Sequence, residues 1–296
     1  MTLPYTLTLV ARREATILTP GAIEEARGLV SGQPATILSE GEAADIPCGA
    51  PSPFGPSLSE IRARFAAREI DVLLTRSRGR RKGLLVADMD STIVTSETLD
   101  DLARRAGVGD RVAAITARSM NGEIDFATAL RERVGLLRGL AEEALDATWA
   151  ETRLTPGART LVATMRAHNA TTALVSGGFT WFTGRVAALC GFDAHHANQL
   201  GISDGRLTGR VAEPILGRAA KLESLRNLAE SRSLRLAATL AVGDGANDLD
   251  MLREAGLGIA FHAKPIVAEA VANRVDHADL RALLFAQGYR AADFRE

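Results

Sequence analysis

Asp88-Met89-Asp90 sets two carboxylates on either side of one methionine, directly after the apolar run Leu84-Leu-Val-Ala87. Like charges that close repel. Such a pair persists where a cation sits between them, where one carries a proton, or where the segment is a polar loop at a strand end. In an extended chain residues i and i+2 point to the same side, so both carboxylates would converge on one point above a sheet. An all-oxygen site of hard carboxylates selects Mg²⁺, which keeps waters and takes phosphate oxygens. A further acidic group follows another apolar run, in Gly243-Asp-Gly-Ala-Asn-Asp248. Its glycines permit a tight turn and close approach of backbone to ligand. Asp244, at the tip, would complete a metal shell, while Asn247 and Asp248 either support that shell from behind or cap the next helix. Val175-Ser-Gly-Gly178 offers the N–H groups of Ser176 and Gly177 and the Ser176 hydroxyl to an anion at a helix start, or is merely a turn. Lys221 either adds positive charge to that anion or lies in solvent.

These clusters need elements that bring them together. Gly83–Asp88, Thr171–Gly178, Ala238–Gly245 and Gly256–Phe261 are short apolar runs that stop abruptly at Gly, Asp, Ser or Phe. Runs without alternation suit strands buried on both faces of a parallel sheet, and helical patterns at Ala158–His168 and Leu216–Ser231 lie between them. The pattern predicts an α/β fold, a doubly wound Rossmann-like sheet whose ligands bind beyond the strands' carboxyl ends. About eighty residues separate the first two of these strands, too many for a simple crossover. Leu99–Ala106, Asp110–Met120, Phe126–Leu137 and Ala141–Glu151 read as helices, so residues 95–153 are expected to form a helical cap, and 81–94 with 154–296 the core. Asp204-Gly205 reads as a tight hairpin turn. Residues 1–80 alternate strand-like pieces (Tyr5–Val10, Ala35–Leu38, Asp71–Leu74) with helix-like ones (Ala22–Val30, Ser57–Arg68), which predicts a small α+β domain.

Composition narrows the class. The 296 residues are 46% hydrophobic and 24% charged, with a formal net charge of −1, so neither nucleic acid nor an anionic membrane exerts a general pull. The basic run Arg76-Ser-Arg-Gly-Arg-Arg-Lys82 reads as a solvated linker, nucleic-acid contact being the lesser alternative. Two cysteines, Cys48 and Cys190, make no disulfide scaffold or metal knuckle. With no signal-peptide pattern and no apolar stretch near the roughly 20 residues that span a bilayer, a cytoplasmic protein is expected.

Taken together, Asp88-Met-Asp-Ser-Thr-Ile-Val94, Val175-Ser-Gly-Gly-Phe179, Lys221, Gly243-Asp-Gly-Ala-Asn-Asp-Leu-Asp-Met251 and the following Gly256–Pro265 resemble the motifs of haloacid dehalogenase-like phosphatases, in order and at suitable spacing. Within them the set specifically resembles the phosphoserine phosphatases. The resemblance implies that Asp88 is the nucleophile, and that Asp90 is the general acid and then the base. It also implies that Mg²⁺ binds the Asp88 carboxylate, the Asp90 backbone carbonyl and Asp244, with Lys221, Ser176, Gly177 and Asn247 holding the phosphate end of the substrate.

Substrate choice falls to the cap. At about 100° per residue, Phe126, Leu130, Val134 and Leu137 lie within about 80° of one another, and Arg133 falls inside that stripe while Arg131 and Glu132 point away. A guanidinium on an apolar face snorkels, pairs structurally or meets a ligand carboxylate. Glu97 alone reads as an acid at a helix N-terminus. By resemblance Glu97 holds an ammonium, Arg133 a carboxylate, and Met120 and Phe126 make apolar contacts, which implies O-phospho-L-serine; phosphohomoserine and phosphoethanolamine are the neighbouring esters. The first eighty residues resemble ACT-like regulatory domains, which leaves serine sensing, homodimer formation and packing all open.

Overall fold

The computed structural model describes residues 3–50, 55–120 and 123–296, Met120 by its backbone alone. The chain begins with β1 (Tyr5–Ala11), α1 (Pro20–Leu29), β2 (Thr36–Ser39), β3 (Ala43–Cys48), α2 (Leu58–Ala66) and β4 (Ile70–Arg76). Their antiparallel sheet, in the order β2-β3-β1-β4, is the split βαβ arrangement of ferredoxin-like units. Period-2 alternation sends Leu7, Leu9, Ile46 and Val72 toward Ile61 and Phe65 of α2. The other face carries Thr8, Asp45 and Asp71 and is buried against the rest of the molecule. There Asp71 accepts backbone N–H bonds from Asp276 (2.8 Å), His277 (3.1 Å) and Ala278 (2.7 Å). Arg80 pairs with Asp45 at 2.5 Å, and the Asn273 amide bonds both the N–H and the carbonyl of Leu74. β3 was absent from the sequence expectation because Asp45 and Pro47 break its pattern; pairing with β1 and β2 overrides that weak propensity.

After β5 (Leu84–Ala87) the chain leaves for α3 (Thr98–Arg105), α4 (Gly109–Met120), α5 (Phe126–Gly135) and α6 (Glu143–Glu151), then returns through α7 (Ala158–Ala167). It continues as β6 (Thr171–Phe179), α8 (Thr180–Cys190), β7 (Ala194–Asn198) and the hairpin β8 (Leu200–Ser203) and β9 (Arg206–Val211). Next come α9 (Arg218–Ser231), β10 (Thr239–Gly243), α10 (Leu249–Glu254), β11 (Leu257–Phe261), α11 (Pro265–Ala270), β12 (Asn273–Val275) and α12 (Ala282–Ala286). The main sheet is parallel throughout, in the order β12-β11-β10-β5-β6-β7. Every side chain of β5 is fully buried, with α7, α8 and α12 packed on one face and α9, α10 and α11 on the other. This is the doubly wound sheet the apolar runs predict.

β5 lies between β10 and β6, where the winding reverses direction, so the loops after these three strands diverge and open a crevice. The helices α3–α6 stand over it. Their stalk is closed by the Val94–Leu154 bridge and by the Thr95 N–H on the Arg153 carbonyl (3.0 Å). The β8–β9 hairpin, turning at Asp204-Gly205 as expected, also clasps the cap: Gly139 N–H meets the Leu207 carbonyl at 2.8 Å and Leu207 N–H meets that of Leu140 at 2.9 Å. No helix of the described residues is long and apolar enough to cross a membrane.

Candidate active site

β5 ends at Ala87, and Met89–Ile93 form one wide helical turn in which Ser91 takes φ 52°. Asp88 and Asp90 therefore reach the same cavity from a turn, not from one side of an extended strand as the i, i+2 argument expects. Asp88 Oδ1 accepts the Met89 N–H and the Lys221 ammonium, each at 2.7 Å. Asp90 Oδ1 accepts the Thr98 N–H at the start of α3 (2.9 Å), and its Oδ2 accepts the Ser176 hydroxyl (3.4 Å). Burial, then Glu97 and Asp88, push the Asp90 carboxyl up to about 7 against the opposing Thr98 N–H. Two neighbouring carboxylates thus have different partners and can hold different protonation states.

Lys221, on α9 and 2% exposed, lies beneath the crevice between Asp88 and Asp248, with 2.7 Å to each. Burial opposes its charge, but Asp248 and Asp88 outweigh that cost and hold it above the ordinary lysine range. Asp248 also accepts the Gly245 N–H at 3.1 Å, so it both braces the loop turn and anchors Lys221. Gly243 is required here: a Cβ on it would stand 2.3 Å from the Asp248 carboxyl carbon. Burial and Asp88 push Asp244 up to about 6, opposed by Lys264, whose Nζ is 3.7 Å away.

Carboxylate oxygens of Asp88, Asp244 and Asp248 lie within 4.8 Å of one another. The donor set is all oxygen and crowded with like charge, which suits a hard divalent cation. The Asp90 carboxylate is outside this cluster, being taken up by Thr98, so only its backbone carbonyl is left for the part expected of it.

β6 continues through Phe179, and α8 starts only at Thr180. Ser176 and Gly177 are consequently set back from the helix N-terminus, and the helix dipole is less available to an anion than the sequence reading expects. The Ser176 hydroxyl accepts the Gly178 N–H at 2.9 Å, and the Gly177 carbonyl accepts the buried Asn198 side chain at 2.8 Å. Asn198 fixes this loop and was missed in the sequence, since nothing local marks a residue at the end of the polar β7 strand.

A cavity of about 560 Å³ joins these groups to the cap. Asp88, Asp90, Ser176, Gly177, Asp244 and Asn247 line it from the core, and Glu97, Phe126 and Arg133 from above. Lys221 and Asp248 lie just behind, and the Met120 side chain falls outside the described residues. The Phe126 ring rests on Gly177, where a Cβ would meet it at 3.0 Å. Leu130, Val134 and Leu137 are buried, while Arg131 and Glu132 turn outward to Glu213 (2.7 Å) and Arg118 (3.1 Å), as the helical angles predict. Arg133 turns inward, held among the described residues by the Ala129 carbonyl (3.4 Å) and the Thr116 hydroxyl (3.5 Å). Among the described residues no carboxylate pairs with it; burial pulls its pKa down, with Asp100 and Glu97 opposing at longer range. Glu97 accepts the Ser91 hydroxyl at 2.8 Å. Enclosure raises its pKa, Ser91 and Lys264 oppose, and Asp100 and Asp88 add to the rise. Thr116, Asp100 and Lys264 also line the cavity and were not singled out in the sequence; only Lys264 stood in a quoted motif.

The family model of haloacid dehalogenase-like hydrolases matches residues 85–253. A phosphoserine phosphatase of Streptomyces coelicolor is 43% identical over 235 residues, covering 79% of this chain and 57% of that protein. The chain thus spans little more than half the length of that relative. One from Lactococcus lactis is 43% identical over 203 residues, 69% of this chain and 94% of that one. Among solved structures, a probable phosphoserine phosphatase of Vibrio cholerae in unliganded form has a TM-score of 0.79 at 32% identity, covering 98% of this chain and 88% of that one.

Proposed function

The chain belongs to the haloacid dehalogenase-like hydrolase family, and from that premise we propose that it hydrolyses O-phospho-L-serine to L-serine and phosphate. One observation carries the reading. A single cavity has the nucleophile Asp88 on its floor, with Lys221 bonded to it from behind, under a cap that offers the acids Glu97 and Asp100 and one inward arginine, Arg133, without an ion pair among the described residues. Those charges complement a phosphate, an ammonium and a carboxylate on one small molecule. The names of the relatives support the same substrate.

Asp88 attacks phosphorus, forming an aspartyl phosphate as the bond to the serine oxygen breaks. Asp90, whose carboxyl its surroundings raise to about 7 so that a substantial fraction carries a proton near neutrality, gives that proton to the departing oxygen. It then takes a proton from the water that attacks the aspartyl phosphate, and the phosphate leaves. Lys221, Ser176, Gly177 and Asn247 hold phosphoryl oxygens; Glu97 takes the ammonium and Arg133 the carboxylate, with Phe126 and Met120 against the carbon chain. Asp88, Asp244 and the Asp90 carbonyl would hold Mg²⁺, braced by Asp248, and the ion would withdraw charge from the phosphoryl group. The reaction would be the last step of serine biosynthesis, in the cytoplasm. For the small antiparallel unit, the buried contacts of Asp71, Arg80 and Asn273 support the packing role among those left open.

Phosphate release from O-phosphoserine, with Mg²⁺ and with chelator, tests the proposal. Turnover is expected with the metal, exceeding that on phosphoethanolamine, which lacks the carboxylate for Arg133. Equal turnover of the two esters would overturn the substrate assignment, and a preference for phosphohomoserine would redirect it.

A further inference from the structure

The basic run Arg76–Lys82 is not spent on the active site. It borders a groove of about 580 Å³ between the small antiparallel unit and the amino-terminal ends of β10 and β11, the pole of the sheet opposite Asp88 and Asp244. Arg76, Arg78, Arg80, Lys82 and Arg253 line it, and among the described residues no Asp or Glu does. Two of the five cations have structural duties. Arg80 is neutralised by Asp45, and the Lys82 ammonium bonds the carbonyls of Gly79 (3.0 Å) and Ala237 (2.7 Å), pinning the linker to the groove floor. Arg76, Arg78 and Arg253 have no carboxylate in ion-pair contact among the described residues, although Arg253 interacts with Asp250 at longer range. The three side chains line one concavity that has no acidic residue among its described lining, so an anion held there would meet uncompensated positive charge.

We infer that this groove binds a small anion carrying a diphosphate group, nucleoside diphosphates being the class that fits. Guanidinium forks match phosphate oxygens in pairs, and the groove's volume lies in the range of small-molecule sites. The Tyr5 ring, with Arg76 5.9 Å above its centre, gives a flat apolar partner beside the charges. A nucleic-acid strand fits less well, because the overall charge is −1 and the site is walled by both units of the chain. Arg76 and Arg78 come from the small unit and Arg253 from α10 of the core, so an occupant would bridge the two.

Calorimetric titration of the full chain at low ionic strength, with ADP and separately with methylenediphosphonate, tests this. Wild type is expected to bind at least one probe. R78A/R253A should weaken that binding by about tenfold or more, and R78K/R253K, which keeps charge but loses the forks, by less. Phosphoserine turnover of both double variants should stay within about twofold of wild type, since neither residue touches the catalytic cavity. R133A, inside that cavity, should leave ADP binding unchanged. Binding of ADP alone would assign a nucleotide, and binding of both probes the bare diphosphate group. The inference fails if neither probe binds, if R78A/R253A binds as tightly as wild type, or if R133A abolishes binding.

Discussion

The floor and the roof of the cavity are built to different standards. On the floor, Lys221 is clamped at 2.7 Å by two buried carboxylates, Asp248 is bonded by a second donor, and Gly243 leaves room for no side chain. On the roof, Arg133 has two contacts at 3.4 and 3.5 Å, and Glu97 a single hydroxyl donor. The difference assigns labour. On the proposed reading, the groups that would meet the reacting phosphorus are fixed before substrate arrives, whereas those that would recognise the rest of the molecule have bonding capacity that a ligand would complete.

Substitutions sharpen that contrast, beginning with the floor. D88N removes the attacking oxygen's charge and should lower phosphoserine turnover by roughly 10³-fold or more; a variant within tenfold of wild type would end the nucleophile assignment. K221M leaves Asp88 and Asp248 buried without their cation. With chelator present, thermal or urea unfolding should reveal a loss of about 3–5 kcal/mol, together with loss of turnover. An unchanged melting curve would mean that the floor is no more rigid than the roof.

Roof variants should behave in the opposite way. R133A should raise KM for phosphoserine by about 10–100-fold, the scale of a lost charged hydrogen bond, with kcat within a few-fold and stability unharmed. Its kinetics on phosphoethanolamine should not move. A collapse of kcat with KM unchanged would instead put Arg133 among the fixed groups. The smallest effect is expected from T116V, which removes the distant acceptor of Arg133 and should raise KM about 2–3-fold, under 1 kcal/mol; steady-state kinetics resolves it.

Much of this is legible in the sequence. Leu84–Ala87 and Thr239–Gly243 announce buried parallel strands because both faces are apolar, and the polar residues that stop them mark the tips where ligands bind. The inward turn of Arg133 followed from helical angles alone. Other features were not legible, each for a local reason. Ala194-His-His-Ala-Asn198 has no strand pattern because β7 is an edge strand with one open side. Asp45 in β3 looks like a strand breaker until Arg80 and the Thr8 hydroxyl surround it. The clasp of the β8–β9 hairpin on the cap joins segments distant in the chain and leaves no local trace.

From sequence alone came the kinds of group present and the strand ends that bear them, because alternation, apolar runs and glycine turns are local consequences of backbone geometry. Tertiary structure decided which oxygen faces which cation. The turn through Ser91 brings the Thr98 N–H to Asp90 while Asp88 stays with Lys221, and burial with Glu97 then raises the Asp90 carboxyl to about 7. Distances and dielectric surroundings depend on residues far apart in the chain, and no local pattern encodes them.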